Sequence, residues 1–438
     1  MRVSVYGAGL TGLVTAWALA DVGNDVVLVA CEGEELTALK RLQLGVNEPG
    51  LSERLAAQLA EGRLRFEDQW AAGFNHGDVH FVALAADRIA LAEQLLAALA
   101  LTRSESLTVV NQSTFPVGAA RRLRELMLLE RERQGLVDDV YFLALPSFLQ
   151  EGAAIHNFTR PQRILLGSDD EWGLRLVAEL LRPFCRNQGQ LMVMSTKEAE
   201  FSKYAINGML ATKLSFMNEM ANLADQLQVD IEQVRKGVGS DPRIGFDYIY
   251  PGCGFGGLSF SQDVMRLAET VETEVEDSYL LQTVLESNEQ QKEVLFRKLW
   301  RHFDSDLAGK TVAIWGAAFK PGTDRIDNAP CLLLLEALWA QGVAVRIYDP
   351  AALESLRRHF GERQDMRLCD SAYQAAEGAD ALLIVTEWKE FWSPDFERLA
   401  ELMRNPLIFD GRNIYDPGFM REIGFTYRGV GRSSDFDS

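Results

Sequence analysis

Short runs of apolar residues, rich in β-branched side chains, punctuate the first third of the chain at 3–6, 25–29, 79–84 and 107–111. Runs of that length read as strands buried on both faces. Between them lie stretches such as 53–61 and 89–99, where apolar residues recur every three or four positions, the period of an amphipathic helix. The alternation predicts a doubly wound α/β domain. The texture changes at Ser195. Ser195-Thr-Lys-Glu198 has the form of a capping box, with the serine oxygen on the first turn and Glu198 reaching back. The pattern predicts a long helix from there to about Leu227 and a second helical stretch from about Asp277 to His302, separated by a glycine-rich loop at 251–257. From Lys310 strands return, at 311–315, 343–348, 381–385 and 407–409. The expected fold class is α/β: two Rossmann-like doubly wound domains joined by a central long-helix dimerisation segment. The expected boundaries are 1–194, 195–305 and 306–438. The apolar face of the central helix needs a partner, so a dimer is expected.

Charge narrows the range of partners. Lys and Arg number 44 against 63 Asp and Glu, a formal net charge of −19 over 438 residues. So acidic a body repels nucleic acid and anionic membrane surfaces, and neither is expected as a partner. No apolar run approaches the ~20 residues that span a bilayer. Met1 leads straight into a strand, without the basic and apolar regions of a secretion signal, so a cytoplasmic location is expected. The five cysteines are scattered without a CxxC or Cys/His cluster. That arrangement predicts no disulfide framework and no metal site.

The first strand runs into Gly7-Ala-Gly9-Leu-Thr-Gly12. Glycines in this context permit a tight turn and bring a pyrophosphate close to the free N–H groups of a helix start. Gly7, Gly9, Leu10, Thr11 and Gly12 are therefore candidate contacts for a dinucleotide; a glycine turn serving helix–strand packing alone is the competing reading. A carboxylate should end the second strand to take the ribose hydroxyls, and Ala30 stands there instead. Glu32, two residues on, is the candidate substitute, and a solvated loop charge is an equally good account of it.

Further islands follow in order. They are Glu48-Pro-Gly-Leu51, Ser113-Thr-Phe-Pro-Val-Gly118, Phe148-Leu-Gln-Glu-Gly152, Lys203-Tyr-Ala-Ile-Asn207, Asp241-Pro-Arg-Ile-Gly245, Gly254-Phe-Gly-Gly257, Phe319-Lys-Pro-Gly-Thr-Asp324, Tyr348-Asp-Pro350, Asp410-Gly-Arg-Asn-Ile-Tyr-Asp-Pro417 and Gly429-Val-Gly-Arg432. With the first glycine motif, this ordered set resembles the UDP-glucose dehydrogenase group of nucleotide-sugar dehydrogenases nearly end to end. The resemblance implies an NAD-binding N-terminal domain, a dimer built on the central helix and a C-terminal UDP-sugar domain. It also implies oxidation of a sugar C6 hydroxyl to a carboxylate by two hydride transfers through a cysteine adduct, usually in the service of polysaccharide synthesis.

Residue by residue, the resemblance implies catalytic roles for Thr114, Glu151, Lys203, Asn207 and Asp263, with Lys203 as an electrostatic donor. It places Phe148, Leu149, Lys203, Asn207, Tyr248, Gly252, Gly256, Phe319, Lys320 and Arg412 along the nucleotide sugar. Arg243 would reach across from a neighbouring subunit. The chain departs from the family at the chemistry. The nucleophile motif Gly-Gly-Ser-Cys-Phe-Pro-Lys-Asp is Gly256-Gly-Leu-Ser-Phe-Ser-Gln-Asp263 here, so Ser259 replaces the cysteine. A serine hydroxyl is far less acidic than a thiol and needs a dedicated base. Cys253, six residues upstream, is a poor substitute. The proposed base glutamate is Ser147, and a cofactor-contacting Val-Gly-Thr-Pro is Leu84-Ala-Ala-Asp87. Arg325 and Asp327 exchange the charges of a family pair. The expectation is a UDP-glucose 6-dehydrogenase-like protein that binds a nucleotide sugar but is defective in the four-electron oxidation, acting as a regulatory subunit or partner of an active paralogue. The alternative is an active NAD-dependent dehydrogenase with slow or altered chemistry.

Overall fold

The computed structural model describes residues 1–30, 33–102, 105–187 and 189–432, with residues 33–35 described by their backbone alone. The chain forms two compact units, one ending at Ala205 and the other beginning at Ile206.

In the first unit eight strands make one sheet. They are β1 (Arg2–Tyr6), β2 (Asp25–Val29), β3 (Leu64–Glu67), β4 (Val79–Val82), β5 (Leu107–Asn111), β6 (Val140–Ala144), β7 (Ile164–Ser168) and β8 (Leu191–Met194). Their order is β3-β2-β1-β4-β5-β6-β7-β8. Neighbours run parallel except β6 and β7. The order reverses between β1 and β4, which opens a crevice at their carboxyl ends, where ligands of doubly wound sheets bind. Helix Leu10–Asp21 leaves β1 there and is buried over nine consecutive positions, from Gly12 to Ala20. That explains why it carries almost no polar face.

The second unit repeats the plan. Strands β9 (Thr311–Trp315), β10 (Ala344–Tyr348), β11 (Met366–Leu368), β12 (Ala381–Ile384), β13 (Leu407–Asp410) and β14 (Thr426–Gly429) form a sheet in the order β11-β10-β9-β12-β13-β14. All pairs are parallel. The α/β class with two doubly wound sheets is as expected, and β2, β5 and β9 have the expected limits.

The long helix is Thr196–Leu227. Its capping box is reciprocal: Ser195 N donates to Glu198 Oε2 at 2.8 Å and Glu198 N to Ser195 Oγ at 3.3 Å. The rest of the central segment differs from the sequence reading. Helices Ile231–Ser240 and Leu258–Glu274 fill the interval that was expected to hold only a glycine loop. The expected 277–302 helix starts at Leu280 and breaks at Glu293 into Leu280–Lys292 and Val294–His302. Asp230 caps helix Ile231–Ser240 by accepting from Glu232 N at 2.9 Å. Gly239 inside it is required because a Cβ there would stand 2.4 Å from the ring of Phe246. The C-terminal Gly429–Arg432 island has a structural task in the same unit. Gly431 O accepts from Ile231 N at 2.9 Å, and Arg432 pairs with Asp230 at 2.8 Å.

Candidate active site

The first glycine motif sorts into three roles. Gly7 has φ +113°, and a Cβ on it would lie 2.4 Å from Ala83 O. A Cβ on Gly12 would lie 2.0 Å from Gly7 O. Gly9 has nothing within 4 Å of its Cβ position and stands immediately before the helix, whose start has no side-chain cap. The free N–H groups of the first turn therefore face an open approach, which suits the pyrophosphate of NAD. Leu10 and Thr11 lie in that turn. Thr11 Oγ1 is 3.2 Å from Ser147 Oγ, so the serine expected at the base position touches the glycine turn. Ala30 is fully buried at the end of β2, and Glu32 lies outside the described residues. Leu84 N donates to Ser113 Oγ at 2.9 Å, tying the departed 84–87 segment to the loop that bears Thr114.

Two buried glutamates hold the other loops of this unit. Glu48, from the Glu48-Pro-Gly-Leu51 island, accepts from Gly152 N at 2.8 Å and Ile155 N at 3.1 Å. It thereby fixes the loop of Phe148, Leu149 and Glu151. Glu200 accepts from Gly118 N at 2.7 Å and Ala120 N at 2.8 Å. Burial raises the Glu200 carboxyl above its ordinary value against the pull of those two donors. One turn along the helix, the Tyr204 hydroxyl donates to the backbone of Phe115 at 3.1 Å, beside half-buried Thr114. Lys203 Nζ lies 4.7 Å from the centre of the Phe148 ring, a cation–π contact that holds the ammonium over an apolar face.

In the second unit Asn207 Nδ2 donates to Asp263 Oδ2 at 2.8 Å, and both residues are buried. Ser259 is exposed in the first turn of helix Leu258–Glu274. The loop before it is clamped from several sides. Gly252 N donates to Asn218 Oδ1 and Gly252 O accepts from Gln291 Nε2, at 2.8 and 2.7 Å. Asn288 bonds both the N–H and the carbonyl of Phe255. The loop glycines answer to close packing within the protein. A Cβ on Gly252 would stand 2.8 Å from Gly411 O, on Gly256 2.5 Å from Asn328 O, and on Gly257 2.8 Å from Phe319.

Arg412 leaves a turn that buried Asp410 organises by accepting from Arg412 N at 2.9 Å and Ile414 N at 2.7 Å. Its guanidinium donates to Val385 O at 2.7 Å and pairs with Glu387 at 3.2 Å, while Nη2 is buried without a hydrogen-bond partner. Lys320 sits over Phe319 at 5.8 Å. Cys253 is fully buried with Sγ directed at Val385 O, and burial pushes its thiol up; both remove it as a nucleophile. Arg325 and Asp327 pair at 2.8 Å, so the exchanged charges keep a salt bridge.

Two further expected site residues are Arg243 and Tyr248. The Arg243 side chain is 87% exposed and pairs with Asp241. Tyr248 holds φ +58°, a conformation uncommon for a bulky residue, with its ring 6.4 Å from Phe260. Burial, with Asp247 adding, raises its phenol. The sequence reading missed the supporting groups Glu200, Asn218, Asn288, Gln291, Lys292 and Asn328. Only Glu48 carried a signal, through its motif. No group of His, Cys, Asp and Glu suited to a metal ion occurs among the described residues.

A glycine turn at the switch point of one parallel sheet, in a chain with a second doubly wound unit and a buried cationic turn, is the fold plan of the two-Rossmann pyridine-nucleotide-dependent dehydrogenases. The chain belongs to the UDP-glucose/GDP-mannose dehydrogenase family: the family's NAD binding domain matches residues 1–185, its central domain 197–290 and its UDP binding domain 313–417. It is 45% identical to the UDP-glucose 6-dehydrogenase of Pseudomonas aeruginosa, over 99% of this chain and 98% of that one. It is 35% identical to that of Rhizobium meliloti, over 99% and 100%. Among solved structures it is similar to a UDP-glucose dehydrogenase from Pyrobaculum islandicum, with TM-score 0.88, 28% identity and coverage of 99% and 98%.

Proposed function

We propose that the protein binds NAD and UDP-glucose or a close nucleotide sugar and does not complete the four-electron oxidation to the acid. The observation that carries this reading is Ser259, a hydroxyl in the first turn of helix Leu258–Glu274, at the position of the family's cysteine. A hydroxyl neither adds to an aldehyde nor leaves as a thiolate does. Ser147 compounds the loss, because its short side chain is engaged with Thr11 and cannot serve as a carboxylate base.

The binding groups are retained. Gly9 and the first helical turn suit a pyrophosphate, and the Arg412 turn suits a diphosphate. NAD, when bound, supplies the hydride acceptor. Lys203 places positive charge where an alkoxide develops, and Asp263 holds the Asn207 amide in place by accepting from its Nδ2 at 2.8 Å. That surviving set favours a second reading, a slow alcohol-to-aldehyde dehydrogenase. In the first reading the protein serves as a regulatory partner of an active enzyme.

A homodimer goes with either reading. Met209, Phe216, Leu223 and Leu227 lie along one helix, exposed by 63, 53, 48 and 62%, a stripe that water disfavours. Exposed Arg243 is suited to reach a neighbouring copy. The test counts NADH per UDP-glucose at near-stoichiometric enzyme. The expected yield is none, with ligand binding intact by calorimetry. One NADH per sugar establishes the slow dehydrogenase, and two per sugar at ordinary turnover overturn the proposal.

A further inference from the structure

The start of helix Leu258–Glu274 hangs from a buried polar chain that includes two of the supporting groups, Lys292 and Asn328. Lys292 closes helix Leu280–Lys292 with its side chain 1% exposed. Its ammonium donates to Glu289 Oε1 at 2.7 Å and to Asn328 Oδ1 at 2.6 Å. Asn328 turns the chain at φ +53° and passes the link on, donating Nδ2 to Ser261 Oγ at 3.0 Å. Ser261 is 3% exposed. The backbone of the same segment closes on the glycine loop, where Gly257 N donates to Asp327 O at 2.8 Å.

Burying an ammonium is costly unless its donors are satisfied. Burial does lower the Lys292 pKa, against the pull of Glu289. An apolar residue would fill the space at less cost, so the lysine is there for what it holds. Ser261 stands where the family's nucleophile motif has proline, which offers neither a hydroxyl nor an N–H. Here the N–H donates to Gly257 O at 3.2 Å and the hydroxyl receives Asn328.

We propose that Lys292, Asn328 and Ser261 are positioning residues that fix the first turn of this helix, and with it Ser259, at the sugar end of the nucleotide-sugar site. The inference rests on the function proposed above, in which Ser259 meets the sugar while Arg412 and Lys320 meet the diphosphate.

The test titrates the full chain with UDP-glucose and with UDP by calorimetry. Asn328→Gly suits the positive φ and removes the amide; Ser261→Ala removes the acceptor. Asn328→Asp keeps both ends, because its carboxylate accepts from Lys292 and from the serine hydroxyl. The glycine and alanine variants are expected to weaken UDP-glucose about tenfold, the equivalent of one buried hydrogen bond. UDP affinity should stay within about twofold, and the aspartate variant should restore UDP-glucose binding. Equal losses for both ligands, or no loss, overturn the proposal.

If the unaltered chain binds neither ligand, the nucleotide-sugar reading has failed, and a ligand-free measurement decides the positioning role. In a Ser259→Cys background, the pH profile of alkylation by iodoacetamide reports the setting of that turn. Adding Ser261→Ala should raise the apparent thiol pKa by about half a unit, as a loosened helix start withdraws its N–H groups; an unmoved profile overturns the inference.

Discussion

Glu200 shows how one side chain can be structural and titratable together. Burial raises its carboxyl, two backbone donors oppose the shift, Asp169 adds to it and Lys197 subtracts. A carboxyl whose folded pKa lies above its unfolded value binds its proton more tightly when folded. The folded state therefore gains stability as pH falls from neutral through the raised value toward the unfolded one. Glu200→Gln keeps an acceptor for one of the Gly118 and Ala120 N–H groups, turns its NH2 toward the other, and removes the titration. Unfolding free energies measured against pH should converge toward acid, with the parent gaining on the variant; parallel curves would refute this. Residues of this kind were not legible in the sequence, because nothing local marks Glu200 as buried. Ser259, Ser147 and Ala30 were legible, since each is a departure at a position that a motif fixes.

At the scale of elements, the Glu48 carboxylate is expected to hold more than its neighbours in sequence. Glu48→Ala strands the N–H groups of Gly152 and Ile155 and should lower stability by about 1–3 kcal/mol. Hydrogen exchange should quicken at 150–155 ahead of the sheet; uniform protection would count against the clamp. Strands β2, β5 and β9 could be read directly because each has a short apolar, mainly β-branched run that is buried. The edge strand β3 reads Leu-Arg-Phe-Glu with the burial of one face only, and β8 is largely exposed, so neither has a buried-strand signature. Helix Ile231–Ser240 was hidden by Gly237 and Gly239, of which the second answers to the Phe246 ring. The helix bearing Ser259 was hidden by its polar content. A Cβ clash with a distant backbone, such as Gly256 against Asn328, has no local trace at all.

For the whole molecule, the exposed stripe on helix Thr196–Leu227 predicts the state of assembly. Phe216→Asp places a charge in the stripe, where its desolvation on association is uncompensated. Sedimentation should shift from about two chains to about one, with the helical signal retained; an unaltered dimer would move the interface elsewhere. Each unit should also respond to its own ligand. NAD at about 100 times its Kd should add about 2.7 kcal/mol to the first unit, and UDP likewise to the second. Hydrogen exchange resolves the two, and protection of the same strands by both ligands would refute the assignment. Among the described residues no helix is long and apolar enough to cross a membrane.

The three glycines of the first motif differ as historical witnesses. A lineage that abandoned the dinucleotide would still keep Gly7 and Gly12, whose added carbons would collide with Ala83 and Gly7 within the protein. It would be at liberty to replace Gly9, which nothing in the fold constrains. This chain has Ser259, Ser147 and Ala30 where the resemblance implies a nucleophile, a base and a ribose acid, and it has Gly9. On the function proposed above, Gly9 is the position at which the dinucleotide alone would set the limit on side-chain size, because nothing in the fold stands within 4 Å of an added carbon there.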